Sequence, residues 1–229
     1  ELARSQKLES LGVLAGGLAH DFNNILTVIT GNISLARMQS EAGSAPERIL
    51  KDAEMATFRA RDLTQQLLTF SRGGAPIKKV TSIAQLLTET IQFTLSGTNI
   101  RAEFDIEEGL WPAEVDPGQI SQVFNNLAIN AQQAMPAGGT LRIRARNTSS
   151  AEGAAERLRS GRYVRIEMED HGIGISADLL SRIFDPYFTT KQRGSGLGLT
   201  TSYSIVNKHG GHIEVRSRVG EGSVFTISL

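Results

Sequence analysis

Residues 11–37, LGVLAGGLAHDFNNILTVITGNISLAR, set one histidine, followed at once by an acid and a string of amides, on the polar side of an otherwise apolar helical pattern. Apolar or small residues recur at Leu8, Leu11, Ala15, Leu18, Phe22, Ile25 and Ile29, in the alternating three- and four-residue steps of a bundle seam. With that seam at positions a and d, His20 falls at f and faces solvent. Asp21 beside it can accept the ring N–H or raise its basicity, and Asn24 lies one turn on, where side chains meet. A helical zinc site needs a second His one turn away, and one imidazole with amides is a poor ligand set. The ordinary reading of His20 is a surface histidine; the chemical role left to it is that of a nucleophile.

Three further stretches carry groups that can meet a phosphate or a base. In QVFNNLAINAQQAM (122–135), Asn126 and Asn130 stand four apart on one helix face, opposite Val123, Leu127, Ala131 and Ala134. Read alone, they are a pair of exposed amides. EDHGIGI (169–175) places Asp170 at a strand end, with Gly172 and Gly174 permitting close backbone approach; by itself it also fits a common Asp-Gly turn. GSGLGL (194–199) lacks the Lys-Ser/Thr ending of a P-loop. Its Gly194, Gly196 and Gly198, with Leu197 and Leu199, run straight into an apolar helix pattern, whose free N–H groups can face phosphate oxygens. The same glycines fit a flexible lid, and both can hold at once.

The elements that must position these groups fall into two parts. A second seam, Ile49, Ala53, Ala56, Ala60, Leu63, Leu67 and Phe70, follows a break at 43–46 in which Pro46 suits the first turn of a helix. Residues 1–72 are thus expected to form a helical hairpin, and since one hairpin cannot bury both seams well, two copies are expected to make a four-helix bundle, a homodimer. Gly73-Gly74 before Pro76 marks a hinged linker over 73–80. From 81 to 229 helices are predicted near 82–96, 117–135, 176–183 and 198–209, with strands near 99–106, 111–115, 140–148, 162–169, 211–217 and 223–229. This is an α+β sandwich, one sheet with helices on one face. The polar segment 149–161 reads as an exposed insertion between two hairpin strands.

Composition narrows the function classes. The 24 basic and 24 acidic residues cancel, leaving no global charge for nucleic acid or an anionic membrane, and neither is expected as a partner. No apolar run approaches bilayer-spanning length. The absence of cysteine excludes disulfide and thiol chemistry and fits a reducing compartment. The chain begins Glu1-Leu2-Ala3 within a helical pattern, without an initiating Met, so a longer protein is expected.

The H-D-F-N-N string resembles the phosphoacceptor box of sensor histidine kinases of two-component systems. The three stretches above, together with IFDPYFTTK (183–191), are similar to that family's ATP-binding boxes, in the family's order and over nearly the whole chain. The short lid with T-T-K looks like the nitrogen-regulator and hybrid-kinase branches. The resemblance implies a dimerisation and phosphotransfer domain over 1–72 and a GHKL (Bergerat) ATP-binding domain over 81–229. It implies ATP and Mg²⁺ as cofactors, a response-regulator receiver domain as partner, a sensor domain upstream of this stretch, and a cytoplasmic location. It makes His20 the phosphoacceptor, Asp21 its orienting general base, and Asn24 a positioner of water or of the partner's carboxylate. Asn130 is then the magnesium ligand with Asn126 supporting it, and Asp170 accepts the exocyclic amine of adenine. Phe188 belongs to the lid hinge. At Gln133 many relatives carry a basic residue that helps hold the phosphates, so that contact is expected from Lys191, which equally fits an exposed lid lysine. Two other classes fit parts of the pattern. Topoisomerase-, chaperone- and mismatch-repair-type ATPases share the fold but use a Glu where this chain has Asn126. A phosphatase-biased or ATP-regulated dimeric scaffold is compatible with Asp21 and Asn24.

Overall fold

The computed structural model describes residues 24–41, 43–71, 76–150, 160–190 and 196–229. His20, Asp21, Lys191, Gly194 and most of the 149–161 insertion lie outside the described residues. The chain divides into two compact units, Glu1–Gly74 and Ala75–Leu229.

In the first unit, helix α1 (described over 24–38) is followed by α2 (Ala45–Ser71). Ser44 starts α2 by accepting the Glu47 N–H at 3.2 Å, half of a Ser-x-x-Glu capping box around Pro46. The contact between the two helices includes a polar layer. Glu54 on α2 is buried at 7% exposure, and its carboxylate accepts from Ser34 Oγ and Arg37 Nη1 of α1. A buried carboxylate tolerated in this way must be matched by a cation and a hydroxyl at one register of the helices. By contrast Ile25 and Ile29 of the first seam, and Ile49 of the second, remain exposed at 56%, 42% and 68% in the single chain.

The second unit is built on a mixed five-stranded sheet of order β2-β4-β5-β7-β6. Its strands are β2 (Ile100–Ile106), β4 (Gly139–Ser150), β5 (Gly161–Asp170), β6 (His212–Arg218) and β7 (Gly222–Ser228). Only β2 and β4 run parallel, in the register Ile100 to Gly139. Helices α3 (Ile83–Leu95), α4 (Pro117–Ala134) and α6 (Gly198–Lys208) cover one face. Strand alternation explains that layering: Val164, Ile166 and Met168 of β5 point into the core, against Ile83, Leu87, Ile120, Phe124 and Leu127 of the helices. The intervening Arg165, Glu167 and Glu169 join Arg142, Arg144 and Arg216 in ion pairs on the other face. Ser82 caps α3 and Asp116 caps α4, with Pro117 in the first turn of α4.

Two differences from the expected elements stand out. A second, two-stranded sheet pairs β1 (Lys79–Thr81) with β3 (Ala113–Val115); three residues are too few to show alternation. The helix predicted over 176–183 is the single turn α5 (Ala177–Leu180). Tight turns follow, with Arg182 N donating to Leu179 O and Asp185 N to Arg182 O, and Pro186 disfavours helical backbone at Asp185.

Candidate functional site

Helix α4 is the spine on which the groups at the catalytic unit's candidate site converge. Asn126, Asn130 and Ala134 stand at i, i+4 and i+8, so they form one row along the helix. At the first position the Asn126 side-chain N–H donates to Gly198 O at 3.0 Å and to Ser202 Oγ at 3.3 Å, tying α4 to the first turn of α6. At the last position Ala134 O accepts the Ile173 N–H at 3.1 Å. Here the D-x-G-x-G loop lies so close that a Cβ on Gly172 would sit 2.5 Å from that same oxygen. Asn130 lies half-buried between these two ties. The row thus fixes the loop after β5 and the start of α6 to a single rigid element.

Asp170 ends β5 and is buried at 5% exposure. Its Oδ1 accepts the Gly172 N–H at 2.9 Å, an Asx-type turn that orients the carboxylate. Behind it, Gly174 has φ +70°, and Ile175 N donates to Ser217 Oγ at 2.8 Å, anchoring the loop to β6. Helix α6 begins at Gly198 with no side-chain cap, because Leu197 at the N-cap position is buried in the core instead. Leu199 packs against that core, and Gly196 accepts the Tyr187 N–H at 3.1 Å, bringing the FDPYF segment to the same place. Phe188 is half-buried, with the Arg182 guanidinium 4.7 Å from its ring centre. A buried carboxylate beside the C-terminal end of α4 and an uncapped helix start beside its middle are the two complementary ends a nucleotide requires.

A model of the histidine kinase-, DNA gyrase B- and HSP90-like ATPases matches residues 115–229, and one of the His Kinase A (phospho-acceptor) domain matches residues 10–76. The chain belongs to the sensor histidine kinases. Sensor kinase CckA of Brucella abortus (strain 2308) is 40% identical over 236 residues, which are 100% of this chain and 25% of that protein. The chain therefore spans a quarter of that relative's length. Full-length ShkA in complex with AMPPNP shares the fold, with a TM-score of 0.76 and 22% identity over 94% of this chain and 45% of that one. The complex of histidine kinase ThkA with response regulator protein TrrA does so with a TM-score of 0.64 and 23% identity over 99% and 63%.

Of the H-D-F-N-N string, Asn24 is exposed on α1, and His20 and Asp21 fall outside the described residues. In the ATP-binding unit Asn126, Asn130, Asp170, Gly172, Gly174, Phe188, Gly196, Leu197, Gly198 and Leu199 are all described. Sequence reasoning missed the tie from Asn126 to Gly198 and Ser202, which makes the amide a brace between two helices. Its only signal was the four-residue spacing to Asn130. It also missed the Arg182–Phe188 stack. A cleft of about 320 Å³ lined by Trp111, Arg162, Tyr163 and His209, among others, lies at the opposite end of β5 from Asp170, and is separate from these motifs.

Proposed function

We propose that the chain is an ATP:protein-histidine phosphotransferase, in which the His20 imidazole takes the γ-phosphoryl group of ATP and passes it to an aspartate of a response-regulator receiver domain. The observation that carries the nucleotide half is the α4 row. It places the buried Asp170 carboxylate, the Asn130 amide and the uncapped α6 start along one side of the second unit. Asp170 accepts the exocyclic amine of adenine and so selects it over guanine. First-turn N–H groups of α6 meet phosphate oxygens, and Lys191 neutralises the γ-phosphate. Phe188 with Arg182 supports the lid hinge.

Among the described residues no group of three or more His, Cys, Asp or Glu side chains can hold a metal. Magnesium carried in on the nucleotide would need only one or two protein oxygens, and the Asn130 side-chain oxygen would supply one. The ion would neutralise the phosphates and draw electrons from the γ-phosphorus. In the transfer itself a nitrogen–phosphorus bond forms at His20 as the bond from γ-phosphorus to the bridging oxygen of ADP breaks. Asp21 orients the ring and takes its other proton. Asn24 positions water or the receiver carboxylate in the later steps. Catalysis consists mostly of positioning.

Domain roles follow: residues 1–72 dimerise and carry His20, 73–80 link, and 81–229 bind ATP. The exposed Ile25, Ile29 and Ile49 support a homodimeric bundle, since apolar stripes of this kind are normally covered. Use of ATP places these units in the cytoplasm. No described helix is long and apolar enough to cross a membrane. A phosphatase-biased scaffold would share this geometry and differ in giving no label. Incubation of the chain and its His20→Gln variant with magnesium and γ-labelled ATP separates the two. The kinase gives label that resists alkali, is lost in acid and needs His20; a scaffold binds ATP and stays unlabelled.

A further inference from the structure

The chain enters the second unit through Pro76, which is half-buried, and through Ile77 and Lys78, which are exposed, Ile77 at 82%. Polar bonds tie the exposed pair down. The Ile77 N–H donates to Asp116 Oδ2 at 3.1 Å, and Lys78 Nζ donates to the backbone oxygen of His209 at 3.4 Å. Lys79 then opens β1 opposite Val115. Asp116 is also the N-cap of α4, its Oδ1 accepting the Gln119 N–H at 3.1 Å, so one carboxylate serves both the entering segment and the helix that bears Asn126 and Asn130.

Asp116 is in turn held by His209. The Asp116 N–H donates to His209 Nε2 at 2.9 Å, and His209 Nδ1 lies 2.8 Å from the backbone oxygen of Ile205. A backbone N–H only donates and a carbonyl only accepts, so a single neutral tautomer, protonated at Nδ1, satisfies both. Burial pushes the His209 pKa below its ordinary value, in keeping with a ring kept neutral, against an opposing effect of its hydrogen bond to Ile205. His209 therefore joins the end of α6 to the start of α4, and its own carbonyl completes the hold on Lys78.

We infer that His209 and Asp116 form an anchor that fixes where the interdomain segment leaves the ATP-binding unit, and that they act as positioning residues for phosphoryl transfer to His20. The inference rests on the kinase reading. An exit point rigidly attached to α4 limits the directions in which the nucleotide can approach an acceptor on the other unit, and errors of an ångström in such approaches are costly.

Asp116→Asn in the whole chain isolates the linker contact. Asn is as good an N-cap as Asp, and its oxygen keeps the Gln119 N–H, but its NH₂ group replaces the acceptor for the Ile77 N–H. Expected are faster hydrogen exchange at the Ile77 amide and a maximal rate of labelling lowered about tenfold. The KM for ATP, the affinity for a non-hydrolysable ATP analogue and the unfolding of the second unit stay unchanged. Lys78→Met, which cannot disturb the cap, gives a smaller change in the same direction. Faster exchange at Ile77 with an unchanged labelling rate overturns the inference, as does a KM that rises in step with the loss of rate. A wild-type chain that takes no label refutes the kinase reading instead, and exchange at Ile77 then decides the anchor alone: unchanged exchange overturns it.

Discussion

Replacing Gly174 by Ala tests whether the D-x-G-x-G loop is as tightly built as its geometry states. The backbone there has φ +70°, a conformation that costs an L-residue about 1 kcal/mol. The added Cβ would also lie 1.9 Å from the backbone oxygen of Arg218, and that oxygen must retreat by about 1.1 Å to restore a 3.0 Å contact. Arg218 sits in a turn fixed by Glu221 N to Arg218 O at 3.1 Å, Gly220 N to Ile173 O at 2.9 Å and Ile175 N to Ser217 Oγ at 2.8 Å. Loosening two or three such bonds at about 1 kcal/mol each, with the backbone cost, gives a loss of about 3–4 kcal/mol. Gly210→Ala is the control, because φ is +78° but nothing lies within 4 Å of its added Cβ; it should lose only about 1 kcal/mol. The chain has one tryptophan, Trp111, and it lies in the second unit, so its fluorescence follows that unit's unfolding by itself. At about 2–4 °C per kcal/mol, the melting point should fall by ~6–16 °C for Gly174→Ala and by ~2–4 °C for Gly210→Ala. Equal shifts for the two variants would refute the close-approach argument.

Asp170→Asn keeps an oxygen for the Gly172 N–H and therefore the fold, but loses the carboxylate proposed to meet adenine. Removing a hydrogen bond to a charged group at ~1.5–3 kcal/mol should weaken ATP binding ~10- to 100-fold in a competition assay, with little change in melting. His209 makes stability pH-dependent. Its folded pKa lies below the unfolded value near 6.5, so the unfolded chain takes up the proton first as pH falls. That contribution is complete above about pH 6.5 and is lost progressively below it, down to the folded value. Trp111-monitored unfolding of wild type against His209→Gln should therefore show a difference that grows with pH up to about 6.5 and is flat beyond.

Where the sequence was informative, it was through regular patterning. The strand expected near 162–169 and the helices expected near 82–96 and 117–135 are β5, α3 and α4 to within a residue or so. Strand β1 was hidden because Lys79–Thr81 is held by its partner β3 rather than by any pattern of its own. Tertiary pairings were equally hidden: Asp116 and His209 are 93 residues apart, and neither residue type signals that the ring of one accepts the backbone N–H of the other. Asn126, Asn130, Asp170 and the glycines were singled out by the order in which their stretches follow one another along the chain, since read alone the amides are ordinary helix surface and D-x-G-x-G an ordinary turn. The bracing role of Asn126 was not, since it depends on how α6 packs against α4.

The central claim places a phosphoryl group on one ring. The most direct test is mass spectrometry, under alkaline conditions, of the peptide spanning 11–37 after incubation of the whole chain with magnesium and ATP. One phosphoryl group is expected, assigned by fragmentation to His20 and lost on acid treatment. An unmodified peptide from a chain that demonstrably binds ATP, or a phosphoryl group fixed to any other residue, would contradict it.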